Sequence, residues 1–414
     1  MQSDAFPTPH FKPSVHRFVR MAGPLYMRLA LGVKKVVVFN RATLKAELAA
    51  FREGRQRLII AFRHTAVEDA PLVLMGIRES HLAVLYGRDV LNWAGSITKF
   101  IFPRLGFIAV QNRATNRDGI QYLRSEAQSG RFPIALAPEG QVTYHAHKSA
   151  PIEAGVANLA LWASESGQEV TILPIGIGYK YADDTSSFVK GLLSRWQKES
   201  SITLQATTTE EQLIEAYEQT LALVAAWWDL PLPSRGTFTE RRDELCTTLL
   251  TKGEELALLS PGEGTILDRL FRLRFTGEDT LFNQDERPRT ALEAAKIAML
   301  QERAHLYLRI NQTVDVLEYL DTTYVSASPT PSRMAEVALS LLDVINRLNG
   351  GSINSRFSPK GKVGGLYIGT PIRLGDIISG ASGRKGHIKA IQTATVSALE
   401  EASAQLEEEW TRSF

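Results

Sequence analysis

Cysteine is nearly missing from this chain. Cys246 is the only one in 414 residues, so neither an internal disulfide nor a cluster of cysteine thiolates around a metal can form. A lone thiol suits a reducing cytosol. Long apolar runs are missing too. No uncharged apolar stretch reaches the about 18 residues that a membrane-spanning helix needs, and the chain reads as soluble or peripheral. The first residues hold Pro7, Pro9 and Pro13 without an apolar core and do not read as a secretory signal. Net charge is small, +2 at neutral pH, and no nucleic-acid partner is expected. No segment repeats at a fixed period. A hydrophobic share of 44% and a charged share of 22% are ordinary for a globular protein, and the length suggests two or three structural units.

The small net charge hides an uneven distribution. Residues 1–63 carry twelve Lys and Arg against Asp4, Glu47 and Glu53, a balance of +9, and the other 351 residues sum to −7. Arg17, Arg20, Arg28, Lys34 and Lys35 are interleaved with Phe18, Val19, Met21, Leu25, Tyr26, Met27 and Leu29. Such a mixture suits an anionic membrane surface. It suits equally a helix packed on the core with a solvated basic edge. Pro24 is expected to interrupt any long amphipathic helix here. Residues 1–34 are read as a basic-apolar N-terminal arm.

Residues 35–180 alternate short apolar runs with helical patterns. Strands are expected at Lys35–Phe39, Leu58–Phe62, His81–Tyr86, Gly106–Val110, Phe132–Ala137 and Val170–Ile177. Helices are expected between them, including Ala70–Arg78, Val90–Phe102 and Val156–Ser164. This is the pattern of an α/β fold, a mainly parallel sheet with flanking helices. From 185 to 362 only helical patterns follow, with no chemical motif, and Trp196, Trp227 and Trp228 are assigned to their core. A strand-like run then returns at Gly364–Ile372. A lone strand is not stable, so it must join the earlier sheet. The α/β domain is therefore expected to be discontinuous, 35–184 plus 363–414, with 185–362 as a long all-helical insertion. A last helix, Lys385–Trp410, is basic at its start and acidic at its end. That order opposes the helix dipole, so packing must hold it.

Four stretches end strands in the α/β region. Leu58–Phe62 runs into Arg63-His64, and Asp69 follows where a helix begins. Ligands in open α/β sheets bind beyond the carboxyl ends of strands. A histidine and a carboxylate there can act as general base and orienting group, although a helix N-cap and a solvated loop histidine explain the same residues. Gly106–Val110 delivers Arg113, whose planar fork of donors can hold a phosphate or simply lie on the surface. Phe132–Ala137 delivers Pro138-Glu139-Gly140, where glycine permits close backbone approach and Glu139 can accept from a hydroxyl or merely shape a turn. Pro174 lies inside Leu173–Ile177 and suggests a bulge or an edge.

Together these blocks resemble those of the glycerolipid acyltransferase family that includes 1-acylglycerol-3-phosphate O-acyltransferases. The family shows His-x-x-x-x-Asp, an aromatic-apolar strand ending in Arg, Pro-Glu-Gly, and an apolar strand containing Pro. Here they stand in that order at 64–69, 106–113, 138–140 and 173–177. Tyr86–Leu91 and Ala154–Ala160 are similar to smaller family features, and Ile368-Gly-Thr-Pro-Ile372 to its closing strand. The resemblance covers residues 33–182 and 363–375. It implies a glycerophosphate acyltransferase-like α/β fold, with His64 and Asp69 as the catalytic pair. It further implies that Arg113, Glu139 and Gly140, with Arg88 and Lys99 as helpers, bind the acceptor. Two departures bear on that acceptor. Glu139-Gly140 continues as Gln141-Val142 where phosphate-acceptor members have Thr-Arg. Arg63 precedes His64 where they have Asn, and is expected to supply positive charge near the acceptor.

The expected function is transfer of a fatty acyl chain from a thioester donor, coenzyme A or an acyl-carrier protein, to the hydroxyl of a lysophospholipid. The first-choice acceptor is 1-acylglycerol 3-phosphate, giving phosphatidic acid. No metal and no bound cofactor are implied. The work is expected on the cytoplasmic face of a membrane surface, within phospholipid biosynthesis. Another lysolipid or a non-phosphate acceptor, a lipid-binding scaffold with a silent acyltransferase-like domain, and a hydrolase remain as alternatives.

Overall fold

The computed structural model describes residues 7–88, 90–93, 95–110, 117–282 and 290–413. The chain forms two compact units, one of residues 183–358 and one that joins the segment up to 182 to the segment from 359 onwards.

The second unit is α/β. Strands β1 (Val33–Phe39), β2 (Gln56–Phe62), β3 (Ala83–Gly87), β4 (Ile108–Val110), β5 (Ile134–Leu136), β6 (Glu169–Lys180), β7 (Lys362–Ile368) and β8 (Ile372–Arg373) form one open sheet. Its order is β1-β7-β6-β2-β5-β3-β4, with β8 beside β6. Strands β6, β2, β5, β3 and β4 run parallel, whereas β7 and β1 run against β6. Between β1 and β6 the strands alternate with α2 (Arg41–Arg52), α3 (Asp69–Gly76), α4 (Val90–Trp93), α5 (Gly95–Arg104), α6 (Arg117–Ser129) and α7 (Gly155–Ser164); α1 (Pro13–Leu29) precedes them. The centre of the sheet is buried on both faces, which is why β2 reads as an unbroken apolar run. Leu58, Ile60 and Phe62 enter one core cluster, while Ile59 and Ala61 enter the other.

Three local expectations change. The helix expected at Val90–Phe102 is two, α4 and α5, because Gly95 has φ 84° and breaks it. The strand expected at Gly364–Ile372 is also two. Along one side of β6, residues 175–180 pair with β7 and 171–172 with β8. Pro174 thus lies within a central strand, and its missing donor falls at the handover between β7 and β8. Finally, Pro24 does not interrupt α1, which runs unbroken from Pro13 to Leu29. The proline is on the exposed side, and the opposite side is fixed on the α/β unit. Arg20 there donates to the carbonyls of Ile77, Arg78 and Ser80, and Met27 is buried.

The other unit is helical: α8 (Thr185–Ser200), α9 (Thr209–Trp227), α10 (Phe238–Leu256), α11 (Ile266–Phe282), α12 (Ala291–Leu317), α13 (Thr322–Ser326) and α14 (Pro331–Leu348). Reciprocal capping boxes start α9 (Thr208, Glu211), α10 (Thr237, Glu240) and α12 (Thr290, Glu293), each satisfying two donors that a helix start leaves open. Trp196 and Trp228 are in its core, whereas Trp227 is 48% exposed, unlike the expectation.

After β8 come α15 (Leu374–Ile378) and α16 (Gly383–Ser413). The sheet accepts α16 through glycines. A Cβ on Gly176 would lie 2.5 Å from the Ala402 backbone, and one on Gly365 would lie 2.4 Å from the Trp410 ring. This close seat holds α16 against its unfavourable charge order. No described helix is long and apolar enough to cross a membrane.

Candidate active site

The carboxyl ends of β2, β5, β3 and β4 lie side by side. His64 follows β2, Glu139 and Gly140 follow β5, and Arg88 follows β3. The Arg88 amide donates to the Val110 carbonyl at the end of β4 at 2.9 Å. Arg113 lies outside the described residues. Lys99 is exposed on α5, a helix rather than a strand-end loop.

His64 Nδ1 stands 3.3 Å from Asp69 Oδ2. The Asp69 side chain is 0% exposed and that of His64 25%, so only the imidazole of the pair meets solvent. Asp69 is the first residue of α3, and Glu68 occupies the N-cap without a side-chain bond to the helix amides. The Asp69 carboxylate turns backwards instead. Its Oδ2 accepts from the Thr65 amide at 2.5 Å and the Ala66 amide at 2.8 Å. Its Oδ1 accepts from the buried Tyr179 hydroxyl at 2.6 Å. Asp69 thus closes the loop that carries His64 rather than capping its helix. With Nδ1–H directed at the carboxylate, Nε2 is left with its lone pair, the form a general base needs.

Glu139 is buried beneath this loop. Its Oε2 accepts from the His64 amide at 2.8 Å and its Oε1 from the Ala150 amide at 3.3 Å. Oε1 is also 3.2 Å from Arg63, and neither side chain has any exposed surface. Burial pushes the Glu139 carboxyl above its ordinary value, while the Arg63 guanidinium and the His64 amide pull it back. Arg63 donates further to the carbonyls of His145 at 2.5 Å and Lys148 at 2.7 Å and to Ser149 Oγ at 2.8 Å.

These contacts correct two expectations. Arg63 brings no positive charge to an acceptor, because its fork is spent inside the protein on the 145–149 loop. Glu139 offers no exposed carboxylate to a headgroup, because it holds the His64 peptide. Gly140 keeps a place at the surface. It is exposed with φ 75°, a backbone that glycine adopts without strain. Where phosphate-acceptor members of the resembled family carry arginine, Val142 is buried.

Several residues of the site gave no motif signal. Thr143 donates from its amide to the His64 carbonyl at 2.7 Å and from Oγ1 at 3.2 Å. From α16, Glu400 accepts from the Ser149 amide at 3.2 Å and Glu407 stands 3.5 Å from His147. The C-terminal helix therefore buttresses the loop that follows Pro-Glu-Gly. Tyr179 was legible in principle. It follows Ile175 and Ile177 into the same core cluster, every second residue of β6, and a buried tyrosine hydroxyl needs a partner.

Among the described residues, no group of three or more His, Cys, Asp or Glu is placed to hold a metal ion. In comparisons with known proteins, no family model matches this chain and no curated protein matches it.

Proposed function

We propose that this chain is a peripheral O-acyltransferase. The observation that carries the reading is the His64 imidazole, a quarter exposed beside a fully buried Asp69 at the carboxyl end of a parallel strand. His64 Nε2 takes the proton of an acceptor hydroxyl as its oxygen attacks the thioester carbonyl. The carbon–sulfur bond breaks, and the thiolate leaves with the proton from the imidazolium. The products are an ester and a free thiol. Asp69 fixes the imidazole tautomer and favours the imidazolium that forms in between. No acyl-enzyme is required. The donor is an acyl thioester of coenzyme A or an acyl-carrier protein.

The first-choice acceptor is 1-acylglycerol 3-phosphate, giving phosphatidic acid. Gly140 and Arg88, at neighbouring strand ends, are candidates for its headgroup, with Arg113 and Lys99 as further candidates. A non-phosphate or other lysolipid acceptor is the second reading, favoured by the buried Val142. A membrane location draws support from α1 and α5. Phe18, Met21, Leu25, Tyr26 and Leu29 on α1 and Ile97 and Phe100 on α5 are all more than half exposed. Arg17 and Arg28 are exposed on the same α1 helix. Apolar side chains flanked by arginines match the boundary of an anionic bilayer. The test is acyl transfer by the purified chain from a labelled thioester to competing lysolipids with and without phosphate. Label appearing only as free fatty acid, or in no product, sinks the proposal.

A further inference from the structure

We propose that Tyr179 is a positioning residue that sets how strongly Asp69 acts on His64, an inference that rests on His64 being the base of the reaction proposed above. Asp69 has two oxygens with different duties. Oδ2 faces His64 and two backbone amides, and Oδ1 faces only the Tyr179 hydroxyl among the bonds described. The phenol therefore draws charge toward the oxygen away from the imidazole.

The surroundings keep that arrangement fixed. Tyr179 is buried, and burial together with Asp69 and Glu68 drives its hydroxyl far above its ordinary value, so it stays protonated and a donor. Tyr179 sits on β6 opposite Gly364 of β7, where the absent side chain is replaced by Leu72 of α3. The charged and titratable groups facing this pocket come from each neighbouring element. Glu68 lies beside Asp69, Tyr181 follows β6, His64 follows β2, and Lys362 begins β7. Lys362 Nζ is 2.5 Å from Glu68 Oε1 and 5.3 Å from the centre of the Tyr179 ring. Lys362 thus pairs with Glu68, and Asp69 is the carboxylate to which the Tyr179 hydroxyl donates. Lys362, expected within the helical insertion, is instead part of this support.

The experiment replaces the donor in two opposite senses. Tyr179→Phe removes the hydrogen bond and keeps the ring, while 3,5-difluorotyrosine at position 179 strengthens the donor without enlarging the fold's demand for space by more than two fluorines. In Tyr179→Phe, charge returns to Oδ2. The His64 Nδ1–H proton resonance moves downfield and the acid limb of the kcat/KM profile moves to higher pH, with KM within twofold. The fluorinated protein shifts the resonance and the acid limb the other way. The resonance is read without any substrate, so it decides the Tyr179 link even if acyl transfer is not found. Shifts of the same sign in both proteins, or none in either, overturn the inference. If Tyr179→Phe does not fold, the fluorinated protein alone decides by the direction of its shift.

Discussion

Replacing Arg63 by methionine tests the buried layer beneath His64. The side chain keeps most of its apolar stem but loses every donor. Glu139 then stands without its cation at a site with no exposed surface. At 3.2 Å and an effective dielectric of about 20, the charge interaction amounts to about 5 kcal/mol. Removing one member of a buried pair typically costs about 3–5 kcal/mol. The lost bonds to His145, Lys148 and Ser149 add to this, and Glu139 relieves part of it by taking up a proton. The sign follows from the direction of its shift. A carboxyl raised above its unfolded value contributes stability that is fully present below that unfolded value and is lost as pH rises through the folded one. Without Arg63 the carboxyl rises further. The deficit should therefore approach about 3–5 kcal/mol near pH 8 and shrink toward pH 5. Urea unfolding at both pH values, with pulsed hydrogen exchange of β2 and β5 amides, reads the α/β unit separately from the helical one. A variant as stable as the parent, or with an equal deficit at both pH values, would show that Arg63 does not keep Glu139 charged in this layer. So does a variant that keeps its stability and loses only affinity for phosphate-bearing acceptors.

Three further outcomes are expected. His81 is packed among Phe11, His16 and Phe132, and burial, reinforced by His16, lowers it from 6.5 to about 3. A depressed value gives stability that is present above 6.5 and lost as pH falls toward 3, by up to about 1.4 kcal/mol per pH unit; His81→Phe should flatten the acid limb of a melting-temperature profile, and an unchanged limb counts against the assignment. Gly176→Ala places a methyl against the Ala402 backbone and should destabilise the α/β unit by about 1–3 kcal/mol, seen as faster exchange of α16 amides; unaltered exchange would show that α16 is not seated there. Phe18→Glu with Leu25→Glu should weaken binding to phosphatidylglycerol vesicles at least roughly tenfold while leaving the melting temperature unchanged, because both side chains are more than 60% exposed; equal binding removes the membrane face from α1.

Local signals carried much of this structure into the sequence. β2 is legible because both its faces are buried, and α3 is legible because Asp69 follows a strand end and opens an apolar helix. The extent of β6 is not, because Gly176 and Gly178 bring no side chain to mark its far end as strand. Their reason lies on α16, more than two hundred residues away. The pairing of Arg63 with Glu139 is hidden for a similar cause. It depends on β2 lying beside β5, and strand order does not follow chain order. A motif reading assigns each polar residue at a strand end to the ligand. In the folded chain two of them face inward, and Asp69 serves the loop before it as much as the imidazole. Pro24 misled for another reason: contacts on the far side of α1 outweigh the hydrogen bond that proline removes.

Whether His64 is the base of acyl transfer is decided by comparing the parent with a chain that lacks the imidazole. Purified parent and His64→Ala proteins are given the same acyl thioester and lysolipid, and ester and thiol are counted together. The parent should release equal ester and thiol, and the variant should turn over at least roughly a hundredfold more slowly at an unchanged melting temperature. Turnover in His64→Ala within a few-fold of the parent would contradict it.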